Sequence, residues 1–321
     1  MIPTLTTLSW KNTRNTFLLL LSMWCAVTFA QESTSVATEL QINPLIRGTL
    51  LSPKQGSNQL AILIAGSGPT DRNGNQRMAQ NNALKLLAEA LAQQGIASFR
   101  YDKRIFTLLQ QGNLKEEDLR FEDFVEDAVA VVEHFNRDEN YTDLILIGHS
   151  QGSLVALLAA QKAEVDKLVS LAGAGKSIDK VIVDQIGSQM PELRPQAEVA
   201  MNTLAEQGKV ADYSPALQSI LRPAVQPFIY SWLQYDPAQI IAELDLPLLI
   251  INGTKDLQVA VEEAERLKEA APMAQLKVLE NMNHVLKDIP GKSLENAKSY
   301  NEPHRPLAPE LVQTIVDFIK A

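Results

Sequence analysis

Leu144-Ile-Leu-Ile-Gly-His-Ser-Gln-Gly-Ser-Leu-Val-Ala-Leu-Leu158 is the stretch on which the reading of this chain turns. Its first four residues are large apolar β-formers without alternation, the pattern of a strand buried on both faces. Beyond Gly148-His149-Ser150-Gln151-Gly152, the residues Leu154, Val155, Leu157 and Leu158 return at the spacing of an amphipathic helix. A reversal from strand to helix within five residues forces the central serine into a strained backbone conformation. Glycines on either side let strand and helix approach with no Cβ between them. The serine oxygen then stands at a helix N-terminus, where backbone N–H groups favour developing negative charge. G-x-S-x-G in this setting reads as the elbow of a nucleophilic serine.

Working outward, the same strand-then-helix rhythm repeats. Leu60–Ile64 reads as a strand running into Gly66-Ser67-Gly68-Pro69, and Asn82–Gln94 as a helix closed by Gly95. Ile96–Phe99 is the next strand and Phe121–Phe135 the next helix. After the elbow come strands at Leu168–Leu171, Leu248–Ile251 and Leu276–Leu279, with helices over Val259–Ala270 and Leu311–Ile319. This order predicts an α/β protein with a mostly parallel, doubly wound sheet. Between Gly175 and Asp245 the strand signal stops and prolines punctuate helical pieces. A structureless loop of that length is out of place in a compact domain, so a helical cap is expected at about 176–245, over the sheet's carboxyl edge. Gln31 to Asn43 is polar and reads as a flexible leader.

Composition sets the outer bounds. With 321 residues, 45% hydrophobic and 21% charged, the chain is an ordinary globular sequence. A formal charge of −9 argues against nucleic acid as a partner, which needs a basic face to displace phosphate counterions. The first 30 residues carry Lys11 and Arg14, then an apolar run from Phe17 to Phe29 too short to span a bilayer comfortably. Thr28-Phe29-Ala30 follows as a cleavage site. The expectation is an export signal over 1–30, one folded domain over 31–321, a periplasmic or secreted location, and no stable membrane insertion after cleavage; an uncleaved anchor is the alternative. Cleavage would remove Cys25, the one cysteine, and with it thiol chemistry and cysteine metal sites.

A serine nucleophile needs a base and an orienting carboxylate. Of the four histidines, His134 lies within a helix, and His149 adjoins the nucleophile with its side chain expected to point away. His304 sits in a Pro-flanked stretch. His284 follows the last strand, where loops at strand carboxyl ends converge over the elbow. The same geometry selects Asp256, in the loop leaving Leu248–Ile251; Asp245 precedes that strand, and Asp288, just past His284, is the alternative acid. Ser150, Asp256, His284 is the α/β-hydrolase order. For the oxyanion hole, one N–H should come from Gln151 and the other from Ser67, with Gly68 as second choice. Asp71-Arg-Asn-Gly-Asn75 begins like an EF-hand, but Gln76 and Asn82 stand where glycine and a carboxylate are required, so no metal is expected. Asp102 and Arg104 read as an ion pair beside the site.

Gly66-Ser-Gly-Pro-Thr-Asp-Arg-Asn-Gly-Asn75, Arg100-Tyr-Asp-Lys-Arg104, Gly148–Gly152, Gly253-Thr-Lys-Asp256 and Asn283-His284 together resemble bacterial α/β-hydrolase carboxylesterases, in particular secreted or periplasmic ones with a G-S-G-P-x-D-R-[DN]-G-N loop. Ile105-Phe106-Thr107 departs from the glycine-rich turn common at that position in such proteins. The resemblance implies the α/β-hydrolase fold with a helical cap and cleavage of carboxylic esters, often small acyl ones, without cofactor or metal. A peptidase or thioesterase would use the same triad, with Glu192, Glu198 and Glu206 as conceivable anchors for a peptide terminus. A catalytically silent binding protein on the same scaffold is the non-enzyme alternative.

Overall fold

The computed structural model describes residues 34–321, so the expected export signal lies outside the described residues. In chain order the elements are β1 (Ser35–Gln41), β2 (Arg47–Pro53), β3 (Gln59–Ile64), α1 (Ala83–Gln93), β4 (Ala97–Tyr101), α2 (Arg104–Gln110), α3 (Phe121–Phe135), β5 (Asp143–His149), α4 (Gln151–Ala160) and β6 (Lys167–Leu171). There follow α5 (Ile178–Gln189), α6 (Arg194–Gln207), α7 (Gln218–Leu221), α8 (Gln226–Trp232), α9 (Pro237–Ala242), β7 (Leu248–Gly253), α10 (Val261–Ala270), β8 (Gln275–Leu279), α11 (Ser293–Ser299) and α12 (Leu311–Lys320). The strands form one sheet in the order β1-β2-β4-β3-β5-β6-β7-β8. β1 and β2 run antiparallel to their neighbours, and all pairs from β4 to β8 are parallel.

Alternate residues of the central strands feed two separate cores, as a sheet covered on both faces requires. On β3, Leu60, Ile62 and Ile64 pack with α3 and α4, while Ala61 and Leu63 pack with α1 and α12. A third cluster lies wholly within 178–229, built from Val181, Ile182 and Ile186 of α5 against Ala197, Met201 and Leu204 of α6. An aromatic seam joins it to the first: Phe121 stacks on Trp232 at 5.3 Å, and Phe124 meets Phe228 at 5.5 Å. No strand interrupts this helical stretch. Among the described residues no helix is long and apolar enough to cross a membrane.

Two local expectations are corrected. The polar segment after residue 33 is no flexible leader, because Ser35–Gln41 pairs with β2 along its whole length. Its side chains are mostly exposed, which an edge strand tolerates, and exposure is why its composition reads as loop. The helix after the elbow is not amphipathic: Gln151 through Ala159 are all buried, so α4 is covered on every side.

At the strand-to-helix crossing, backbone meets backbone with no room for a side chain. A Cβ on Gly152 would overlap the carbonyl oxygen of Ile64, and one on Gly148 would overlap that of Gly152. Gly152→Ala should therefore destabilise the fold. Alanine gains about 1 kcal/mol in helix propensity, but forcing backbone apart in a packed core costs about 1–3 kcal/mol or more. Urea denaturation should show a lower midpoint; an unchanged or higher one would contradict the close approach.

Candidate active site

Ser150 sits at φ 54° and ψ −122°, a conformation L-residues avoid. Its amide donates to Leu171 O at 2.9 Å, which anchors the elbow to the end of β6. Gly66, at the end of the β3 turn, packs against it so closely that a Cβ there would lie 3.1 Å from Ser150 Cβ. Ser150, the one residue between β5 and α4, thus has its backbone held by the neighbouring strand and turn, and it lines an apolar pocket.

His284 Nε2 lies 3.1 Å from Ser150 Oγ, and His284 Nδ1 lies 2.7 Å from Asp256 Oδ2. The other oxygen of Asp256 accepts the backbone N–H groups of Gln258 and Val259 at 2.8 and 2.9 Å. A carboxylate held this way can turn only one oxygen to the imidazole. With Nδ1 donating to Asp256, Nε2 is left to accept the serine proton. Both side chains are out of water, at 5% and 1% exposure. Asp288, the alternative acid, instead offers its backbone carbonyl to Arg305. His304 is exposed, and Asp245 precedes β7 at the opposite sheet edge.

A buried polar network braces both loops. Asn283, next to the histidine, donates through Nδ2 to Asn296 Oδ1 and Ser299 Oγ, each at 2.8 Å, and accepts from Lys287 N at 2.9 Å. Asn296 donates at 2.6 Å to the carbonyl of Lys255, next to the acid. Gln258 donates to the Tyr300 hydroxyl at 2.8 Å. Helix α11 and Tyr300 therefore tie the Asp256 loop to the His284 loop. Sequence reading missed α11, since Ser293–Ser299 is short and polar, with only Leu294 as a large apolar residue, and that one is exposed.

His149, expected to point away from Ser150, donates through Nε2 to the backbone carbonyl of His284, 2.7 Å away. A carbonyl only accepts, so Nε2 carries the proton. Burial, reinforced by the neighbouring His284, pushes its pKa down to about 4, so it stays neutral. It supports the histidine loop from below. The expected Asp102–Arg104 pair is also corrected: Asp102 binds Arg72 at 2.6 Å, and Arg104 forks onto Asp127 at 2.7 Å through each nitrogen. Neighbouring positions on the chain diverge to different faces, which adjacency in sequence does not reveal.

Between them stands Lys103, whose buried ammonium donates to Gly66 O at 2.8 Å and Gln151 Oε1 at 2.7 Å, over the Phe124 ring at 4.2 Å. Burial lowers its pKa to about 7 against the pull of Asp127. Thr70 Oγ1 and Gln76 Nε2 donate to Ser67 O at 2.9 and 2.7 Å, so the Gly66-Ser67-Gly68 turn is pinned on both carbonyls. Asp71 spends one oxygen on its own loop, accepting Asn73 N and Asn75 N. No group of three or more His, Cys, Asp or Glu among the described residues is placed to hold a metal ion.

The pocket above Ser150 has a volume of about 620 Å³. Core residues such as Phe124 and Leu154 form one wall, and Val181, Ile182, Phe228 and Trp232 of the helical segment the other. Its charged lining residues are paired: Arg222 forks onto Glu116 at 2.6 and 3.0 Å, and Lys176 binds Glu263 at 2.9 Å and Asp184 at 3.1 Å. Glu192, Glu198 and Glu206 are exposed and do not line it.

A model of the serine aminopeptidase S33 family (Hydrolase_4) matches residues 79–287, a span that holds Ser150, Asp256 and His284 but not the Gly66–Gly68 turn. Esterase EstD of Thermotoga maritima is 29% identical over 252 residues, 77% of this chain and 59% of that protein, so the chain spans about three-fifths of that relative's length. Est1E from Butyrivibrio proteoclasticus, solved with ferulic acid bound, superposes with a TM-score of 0.56 at 17% identity, over 89% of this chain and 100% of that one. The Pyrococcus furiosus esterase Pf2001 does so with a TM-score of 0.52 at 17% identity, over 89% and 90%. The fold shared with these structures, set on the parallel sheet and its flanking helices, is the α/β-hydrolase fold, and the chain belongs to the serine aminopeptidase S33 (Hydrolase_4) family.

Proposed function

We propose that this chain is an exported serine esterase that cleaves neutral, apolar carboxylic esters through Ser150, His284 and Asp256. The observation that carries this reading is the line of contacts Asp256–His284–Ser150 at 2.7 and 3.1 Å, ending in an apolar pocket of about 620 Å³. Ser150 Oγ attacks the ester carbonyl carbon while His284 Nε2 takes its proton. The carbonyl oxygen becomes an oxyanion held by the N–H groups of Ser67 and Gln151. Collapse expels the alcohol, which leaves with the proton from His284. Water, deprotonated by His284, attacks the acyl-enzyme and frees the acid. The chemistry needs no cofactor or metal.

The residues 176–245 act in this reading as a cap that selects the substrate. A small acyl group, the first expectation, underuses such a space; pockets of about 300–1,000 Å³ suit ligands of drug size. A medium-chain or aromatic acyl group fits the wall of Phe124, Leu154, Ile182 and Trp232 better. The relatives named esterases support ester over amide. The lining charges point the same way. An aminopeptidase must hold an α-ammonium group with a carboxylate, and Glu116 is already committed to Arg222. Export rests on Lys11, Arg14, the Phe17–Phe29 run and the site before Gln31.

A fluorophosphonate probe should label the wild type at Ser150 and leave Ser150→Ala unlabelled; labelling elsewhere, or none, removes the enzyme reading. In a p-nitrophenyl series, kcat/KM should rise from acetyl to medium-chain acyl esters by about tenfold per two or so buried methylenes, at about 0.8 kcal/mol each. A maximum at acetyl, or faster turnover of aminoacyl amides, would contradict the pocket argument. N-terminal sequencing of protein recovered outside the cytoplasm should begin at Gln31; a retained Met1 would contradict the cleaved signal.

A further inference from the structure

The reaction just described does not explain the position of Lys103. It sits between the two oxyanion-hole segments and outside the pocket lining. Its two acceptors are uncharged: the Gly66 carbonyl and the side chain of Gln151. Burying an ammonium without a carboxylate in contact is expensive, so the arrangement asks for a return.

The return lies in what those acceptors adjoin. The Gly66 carbonyl belongs to the same peptide group as the Ser67 N–H, and none of the described peptide bonds is cis. In a trans peptide C=O and N–H point in opposite directions. An ammonium fixing the carbonyl on one side therefore aims the N–H to the other. Charge-assisted hydrogen bonding to the oxygen also draws electron density from the peptide nitrogen, which strengthens its N–H as a donor. Through Gln151 Oε1 the same ammonium holds the residue whose backbone opens α4 and supplies the second donor.

We propose that Lys103 is the positioning residue of the oxyanion hole, and that its positive charge orients and strengthens the Ser67 N–H while locking Gln151. The inference rests on the serine-esterase reading above. The groups packed around Lys103 leave its charge free to matter. From α3 come Phe124, neutral, and Asp127, whose two oxygens are held by Arg104 of α2. From α4 comes the neutral Gln151. His149 of β5, against Gly66, is neutral as well. Burial brings the Lys103 pKa down to about 7, so the ammonium is present below that pH and lost as pH rises through it.

The test compares kcat and KM of wild type and Lys103→Met across pH on one neutral ester, with circular dichroism as a check on folding. Losing a preorganised oxyanion donor costs about 10²–10³ in kcat; losing its support should cost about 10–100-fold, with KM little changed because Lys103 does not touch the pocket. The wild-type advantage should narrow as pH rises above about 7. Lys103→Arg, charged at every working pH, should keep kcat high on the alkaline side. Equal kcat in Lys103→Met, or a deficit independent of pH, overturns the proposal and leaves the esterase reading intact. An inactive wild type overturns both. If the substituted proteins do not fold, the wild type decides alone: kcat that stays level from about pH 7 upward rejects the role.

Discussion

The backbone strain at Ser150 is the constraint on which the rest of the molecule depends. A serine at φ 54° and ψ −122° costs about 1–3 kcal/mol and persists only where its surroundings over-determine it. Here they do so through contact. Gly148 and Gly152 let β5, α4 and the end of β3 meet at backbone distance, Gly66 seats against Ser150 Cβ, and Leu171 O takes the Ser150 amide. Each of those contacts needs a parallel sheet with β3, β5 and β6 side by side, and that sheet needs both faces covered. The elbow is therefore a consequence of the whole sheet, and the reason its central strands carry almost no polar side chain.

From that fixed point the site is assembled by loops that are individually held by buried hydrogen bonds. Asp256 is steered by two backbone N–H groups, His284 by the carboxylate, by His149 beneath its carbonyl and by Asn283 at its flank. Asn296 couples the two loops, so neither can drift without breaking a satisfied buried network. The helical segment is built differently. Helices α5 to α8 form their own apolar cluster and meet the sheet domain along Phe121, Phe124, Phe228 and Trp232. The pocket opens at this seam, with Phe124 and Leu154 on one side and Ile182, Phe228 and Trp232 on the other.

How much of this can be read from residues alone depends on whether burial leaves a pattern. Phe121–Phe135 and the central strands were legible because one face or both faces are apolar, and the order Ser150, Asp256, His284 was legible because each follows a strand end. β1 was not, since an exposed edge strand carries polar residues like a loop. α11 was not, since its role is to place Asn296 and Ser299, and polar braces have no period. The direction of His149 and the partners of Asp102 and Arg104 depend on which way a side chain leaves the sheet. Lys103 stood in a quoted motif, yet only the fold shows that it lies beneath Gly66 and Gln151.

In the proposed esterase reaction Ser150 carries the acyl group during turnover. Acid-quenching the protein within the first turnovers of a slowly deacylated apolar ester, followed by intact and peptide mass measurement, tests this directly. A transient mass increase equal to the acyl group, located on the peptide containing Ser150, is expected. Turnover with no adduct, or with the adduct on another residue, would contradict it.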